Sequence, residues 1–206
     1  NNLNDSCPNP GPPQAILGEL CLAECNSAGT CEKGQCSCQS GRTGIDCDIL
    51  VGGSPSILFI DGDGLCDLRT STCDLINLYA DKIMDVDTLS CYFTELQQSG
   101  STFETVGDTT RVNATFVTYN ELECDLPKKG SYQVKISNGN TGTQLSDPAN
   151  YLVYDSLCFT CDVSTLSCTE KSTACLIDNV CYEPGEYNPT DIHQYCDPTV
   201  NYTEWK

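Results

Sequence analysis

Histidine, methionine and tryptophan each occur very rarely in this chain of 206 residues; there is one Met, one Trp and one His, His193. Cations are scarce too: 10 Lys and Arg stand against 29 Asp and Glu, giving a formal net charge of −19 and a pI near 4.1. A chain so acidic repels phosphate backbones and anionic lipid surfaces, which argues against a nucleic-acid partner. The strings G-x-S-x-G and H-E-x-x-H and the P-loop are all absent, and His193 has no positioned nucleophile beside it, so catalytic residues and cofactors are not expected. No run approaches the ~20 apolar residues that span a bilayer. The opening NNLNDSCPNP lacks the charged-then-apolar pattern of a secretory signal. The chain is therefore expected to be a mature product or a piece of something longer, with no membrane insertion in this segment.

What is abundant is cysteine. Seventeen cysteines make about one residue in twelve, a density that marks disulfide scaffolds in oxidising compartments, because cytosolic thiols are kept reduced. An extracellular location follows, secreted or as the ectodomain of a surface protein. Three Asn-x-Ser/Thr sequons, at Asn4, Asn113 and Asn201, agree with a secretory route. Cys158-x2-Cys161 has the spacing of a zinc half-site or a redox pair, but no second such pair follows and one His is available, so it reads as part of the disulfide set.

The cysteine pattern divides the chain. Residues 1–20 hold one cysteine, Cys7, ahead of a Pro/Gly-rich stretch (Pro8 to Pro13) that reads as a linker or the end of a preceding region. Over residues 21–48 the order is Cys21-x3-Cys25-x5-Cys31-x4-Cys36-x-Cys38-x8-Cys47, with Gly41 and Gly44 before the last cysteine. Fewer than thirty residues cannot bury enough apolar surface to offset chain entropy, so crosslinks must replace a core. Six cysteines allow fifteen pairings.

That spacing resembles an EGF-like module. The resemblance implies the pairings Cys21 with Cys31, Cys25 with Cys36 and Cys38 with Cys47. It also marks Thr30, separated from Cys25 by the four residues Asn26 to Gly29 and standing just before Cys31, as an O-fucose acceptor candidate. The acidic cluster that precedes the first cysteine in calcium-binding versions is reduced here to Glu19, so calcium is not expected at this module.

From 53 to 155 the cysteines thin out and period-two alternation takes over. Ser131–Ser137 places Tyr132, Val134 and Ile136 on one face and Gln133 and Lys135 on the other. Further short strands are expected at 57–60, 74–80, 88–93, 111–118, 121–126 and 151–154, seven in all, separated by turn signals. That pattern predicts an antiparallel β-sandwich. Alternation puts Cys91 beside Leu89 and Phe93, and Cys124 beside Leu122 and Leu126, so both thiols point inward and are expected to bridge. Cys66 and Cys73 are expected to pair locally. Val112, Ala114 and Phe116 take the core face, which leaves Asn113 toward solvent. Asp61-Gly62-Asp63-Gly64 resembles the start of a calcium loop, yet Thr72 stands where an EF-hand has its Glu, so Asp61 and Asp63 are weak metal candidates and a turn is the simpler reading. Asp81, Asp85 and Asp87 read as a solvated acidic turn.

The strings C-Y-F at Cys91–Phe93, E-C-D-L-P at Glu123–Pro127 and G-S-Y-Q-V-K-I-S-N-G at Gly130–Gly139 resemble the IPT/TIG fold of plexin-type ectodomains, which implies a seven-stranded immunoglobulin-like sandwich over residues 53–155 and an adhesion or spacer role. Residues 156–206 carry Cys158, Cys161, Cys168, Cys175, Cys181 and Cys196 in a loop-rich segment whose pairing the sequence leaves open. The string from Cys175 to Pro198 is similar to a cysteine-rich segment of von Willebrand factor D and EGF domain-containing proteins. Mainly β, disulfide-rich architecture is thus expected throughout. Function is expected to be structural or adhesive within an extracellular assembly, through self-association or a larger modular chain, with recognition of a distinct receptor as the alternative. One cysteine of the seventeen is left over: Cys7, expected to bridge to another chain or to a preceding region.

Overall fold

The computed structural model describes residues 19–139 and 142–206. Asn4 and Cys7 lie outside the described residues. The chain forms two compact units, Asn1–Gly53 and Ser54–Lys206, and the described part is mainly β, with nineteen strands and two short 3-10 segments.

In the first unit, Leu22–Ser27 makes a tight turn in which Ala23 through Ser27 all take left-handed backbone angles, φ 47° to 57°. Strands β1 (Gly29–Glu32) and β2 (Gln35–Cys38) pair antiparallel. Their two-residue turn, Lys33-Gly34, has φ 52° and 79°, the pair of positive angles that matches the twist of a hairpin. Strands β3 (Arg42–Thr43) and β4 (Ile49–Leu50) form a second, shorter pair. Gly29 has no room for a side chain: a Cβ there would lie 2.6 Å from the Cys47 sulfur and 2.8 Å from the Ser37 carbonyl oxygen.

The second unit opens with β5 (Ser56–Ile60), a 3-10 turn at Asp61–Gly64, β6 (Leu65–Asp67) and β7 (Leu75–Asp81). It continues through β8 (Ser90–Ser99), β9 (Thr102–Asn113), β10 (Thr115–Thr118), β11 (Glu121–Asp125), β12 (Ser131–Ser137) and β13 (Ala149–Tyr154). The tail adds β14 (Phe159–Asp162), β15 (Ser167–Glu170), β16 (Cys175–Ile177), β17 (Val180–Tyr182), β18 (Tyr187–Asn188) and β19 (Asp191–Tyr195). A smaller sheet runs β10-β11-β7-β5 and a larger one β14-β15-β9-β8-β12-β13-β6. Their inner faces share one core: Ile76, Leu78 and Leu122 from the smaller sheet meet Phe93, Val134 and Ile136 from the larger. Period two is what builds it, since alternate residues of each strand face the same side. The Cys91–Cys124 bridge joins the two sheets across this core.

Six of the seven anticipated strands are present, and the structure differs from the expectation at three places. Residues 111–118 are not one strand. The chain turns a corner at Ala114, whose N–H donates to Leu89 O at 2.9 Å, so β9 stays in the larger sheet while β10 crosses to the smaller. Residues 65–67 add a short strand parallel to β13, fastened by the Cys66–Cys73 bridge. The pair β8 and β9 also runs well beyond Phe93, to Ser99 and back from Thr102. That arm is Gln-, Thr- and Glu-rich on both faces, so no alternation reveals it. Main-chain pairing forms it, the Thr94 and Thr109 hydroxyls bond across it at 2.8 Å, and the tail supports its tip through Phe103 N–H to Leu166 O at 2.9 Å.

The larger sheet therefore continues past residue 155 into the tail. A second, small cluster of Cys175, Ile177 and Cys196 sits in the tail with Tyr182 and the chain's one tryptophan, Trp205, against it.

Candidate functional site

In the first unit the disulfides run Cys21–Cys31, Cys25–Cys36 and Cys38–Cys47. Cys25 and Cys47 are fully buried, and Ile49 is the one other buried apolar side chain among the described residues here. The sulfurs of Cys21, Cys25 and Cys36 gather within 4.8 Å, the single such gathering of three or more potential metal ligands among the described residues. All three are bound in disulfides, which removes the thiolates a metal would need. The left-handed turn is held from outside by Asn26, whose side-chain amide donates to Asp46 O and Oδ2 at 3.1 and 3.0 Å. Leu20, Leu22, Leu50 and Val51 stay more than half exposed.

Residues 21–50 match the Teneurin-like EGF domain. This EGF domain and the eight disulfides among the described residues point to an extracellular protein with a non-catalytic, adhesion-type module. No solved structure matches the chain. Within the EGF domain, Thr30 is exposed on β1, opposite Ser37.

The remaining candidate residues lie in the second unit. Asn113 is exposed at the end of β9, while Val112 and Ala114 on either side of it pack toward the core. Asn201 is half-buried in a bridge with Asp197. Its Oδ1 accepts from Thr203 N–H and Oγ1, both at 2.9 Å, and its Nδ2 donates to Glu204 at 3.2 Å, a bond that a glycan on that nitrogen would alter.

Asp61 and Asp63 fall in the 3-10 turn, where Gly62, Asp63 and Gly64 all have positive φ. Gly64 is required: a Cβ would stand 2.5 Å from Asn150 O. Asp61 lines a cleft of about 430 Å³ with Asp67, Asp74 and Asn77, and Asp63 lies outside it. Asp67 is already engaged, since its Oδ1 accepts from the Arg69 and Ser156 N–H groups, each at 3.0 Å. Partial burial opposes its ionised form, but the Ser156 and Arg69 hydrogen bonds outweigh burial and hold the carboxyl below its ordinary value.

Asp67 belongs to a clamp between sandwich and tail. Arg69 Nε donates to Asp155 Oδ1 at 2.8 Å and its Nη2 to Cys181 O at 3.1 Å, while Lys171 Nζ reaches Ser156 O at 2.7 Å. The tail bridges are Cys158–Cys181, Cys161–Cys168 and Cys175–Cys196. His193 is exposed on β19.

Sequence reasoning passed over the outward face of the smaller sheet. There Phe59 and Tyr79 stack at 4.3 Å, with Phe59 52% exposed and neighbouring Leu58 59% exposed. A signal was available: Ile57, Leu58, Phe59 and Ile60 are all apolar, and a strand without alternation has apolar groups on both faces.

Proposed function

We propose that this chain is a non-catalytic adhesive component of an extracellular assembly, acting through protein–protein contacts of its EGF domain and its β-sandwich. The observation that carries the reading is the disulfide framework: eight bridges hold a chain of two compact units in folds suited to an oxidising, protease-rich environment. The sequence resemblance of residues 53–155 to the IPT/TIG fold, and that of the tail to a cysteine-rich extracellular segment, agree with this reading. Glycans at Asn113 and Asn201 and O-fucose at Thr30 fit the same setting.

Sedimentation of the chain at micromolar concentration, together with pull-down of decellularised matrix proteins by the immobilised chain, tests this. Self-association or capture of matrix protein supports it; a chain that stays monomeric and captures nothing overturns it. The second reading, recognition of a distinct receptor, is favoured by exposed Phe59 stacked on half-buried Tyr79.

A further inference from the structure

The smaller sheet turns an unusual surface outward. Across its strands the register sets Glu121 beside Tyr79 and Tyr79 beside Phe59, and in a neighbouring row Thr115 beside Glu123 and Glu123 beside Asn77. Carboxylates and aromatic rings are therefore neighbours on one face, while Ile76, Leu78 and Leu122 of the same strands point into the core. The four strands carry Asp81, Glu121, Glu123 and Asp125 and no Lys or Arg; Lys82 follows beyond the far end of β7 and Asp61 follows β5. The Tyr79 phenol registers this field: chiefly the negative charge of Glu121, then burial, a hydrogen bond to Glu121 and the charge of Asp61 hold it above its ordinary range.

The two rings lie 15° from parallel, so Tyr79 covers one side of Phe59. Strand β5 is the edge of its sheet, so among the described residues of the second unit no strand of that sheet stands beyond the other side of that ring. An aromatic face bordered by carboxylates attracts a cation twice over, through the ring quadrupole and through charge. Exposed apolar area at Leu58 and Phe59 gives the stem of a long cationic side chain something to cover. A second copy of this chain, at net −19, is repelled from the same face.

We propose that the outward face of the smaller sheet, centred on Phe59, Tyr79 and Glu121, docks an arginine- or lysine-rich segment of a different protein. This rests on the adhesive reading above and names the chemistry of the partner. Binding weakens as salt rises, because the carboxylates are solvent-accessible.

The test is fluorescence anisotropy of the full chain with a labelled peptide of alternating Arg and Ala, at low and physiological salt. Phe59→Ala is expected to weaken binding about three-fold, the scale of an exposed cation–π contact, and Glu121→Gln with Glu123→Gln by a similar or larger factor of about three to ten. Asp85→Asn with Asp87→Asn, an acidic pair off these strands, leaves affinity unchanged. Circular dichroism confirms that each variant is folded, as expected for surface positions. Face variants that bind like the parent, or a control pair that loses as much as the face variants, overturn the proposal in favour of attraction to overall charge. Phe59-dependent binding of a neutral oligosaccharide without peptide binding overturns it in favour of a sugar platform. The peptide measurement reads this face and the matrix pull-down reads the adhesive function, so the two fail separately.

Discussion

The EGF domain and the β-sandwich are both crosslinked, but the crosslinks stand in different relations to burial. Among the described residues of the first unit the buried apolar set is Cys25, Cys47 and Ile49, so the sulfurs themselves are the core. The sandwich buries a continuous cluster of fourteen residues that includes one bridge, Cys91–Cys124. Burying a large apolar side chain is worth ~1.5–3 kcal/mol, so the sandwich's cluster contributes several times what the three buried residues of the EGF domain can set against chain entropy. The difference teaches that a disulfide is a prerequisite of folding in one unit and an increment of stability in the other.

The sharpest way to break that comparison is to delete a bridge from each unit. Cys25→Ala with Cys36→Ala is expected to unfold the EGF domain outright, since losing a native disulfide costs a small secreted domain ~2–5 kcal/mol. Hydrogen exchange by mass spectrometry should then show residues 21–50 unprotected while the sandwich strands keep their protection. Next in size, Phe93→Ala, at a fully buried position, should lower stability by ~3–5 kcal/mol, read as a depressed Tm of the second unit with the EGF domain's exchange unchanged. Cys91→Ala with Cys124→Ala opens a loop whose ends are 33 residues apart, about 3.7 kcal/mol on the chain-entropy model. The second unit should nevertheless remain folded at 25 °C by calorimetry; collapse there would erase the distinction between the two units.

Two smaller effects sharpen it. Asp67→Asn tests the clamp through pH. The folded carboxyl lies below its ordinary 3.8, so its contribution is present above the unfolded value and is lost as pH falls through the lowered folded value. Parent and variant should differ in denaturant midpoint at pH 7 and converge in strong acid; an equal gap at both ends refutes the role. The smallest change is a gain: Lys33→Asn, at φ 52° before Gly34, places the preferred Asn-Gly pair in the hairpin turn. It should raise the EGF domain's exchange protection slightly, because Asn tolerates the left-handed angle better than Lys.

Much of the fold was legible because its signals are local. Six cysteines at fixed steps with two glycines marked the EGF domain, and alternation around Cys91 and Cys124 put both thiols on inward faces. The 94–107 arm was not legible, because polar residues on both faces leave no period to read. The corner at Ala114 was invisible for the opposite reason: Val112, Ala114 and Phe116 keep their alternation through it, and the change of sheet lies in which backbone partners each half finds. Of the candidate site residues, Asn113 could be read as outward from its neighbours, whereas the half-burial of Asn201 depends on its bridge to Asp197.

By itself the sequence determined the compartment, the β class and the crosslinked character of the first unit, since these follow from composition, spacing and period. Only the tertiary structure decided the tail's three bridges, the clamp of Arg69 on Asp155 and Cys181, and the meeting of Phe59, Tyr79 and Glu121. Apart from the local Cys161–Cys168 bridge, each joins residues far apart in the chain, and no local preference says which strands will lie side by side. That choice is made by the shared core, which brings both sheets together and so sets what their outer faces and edges present.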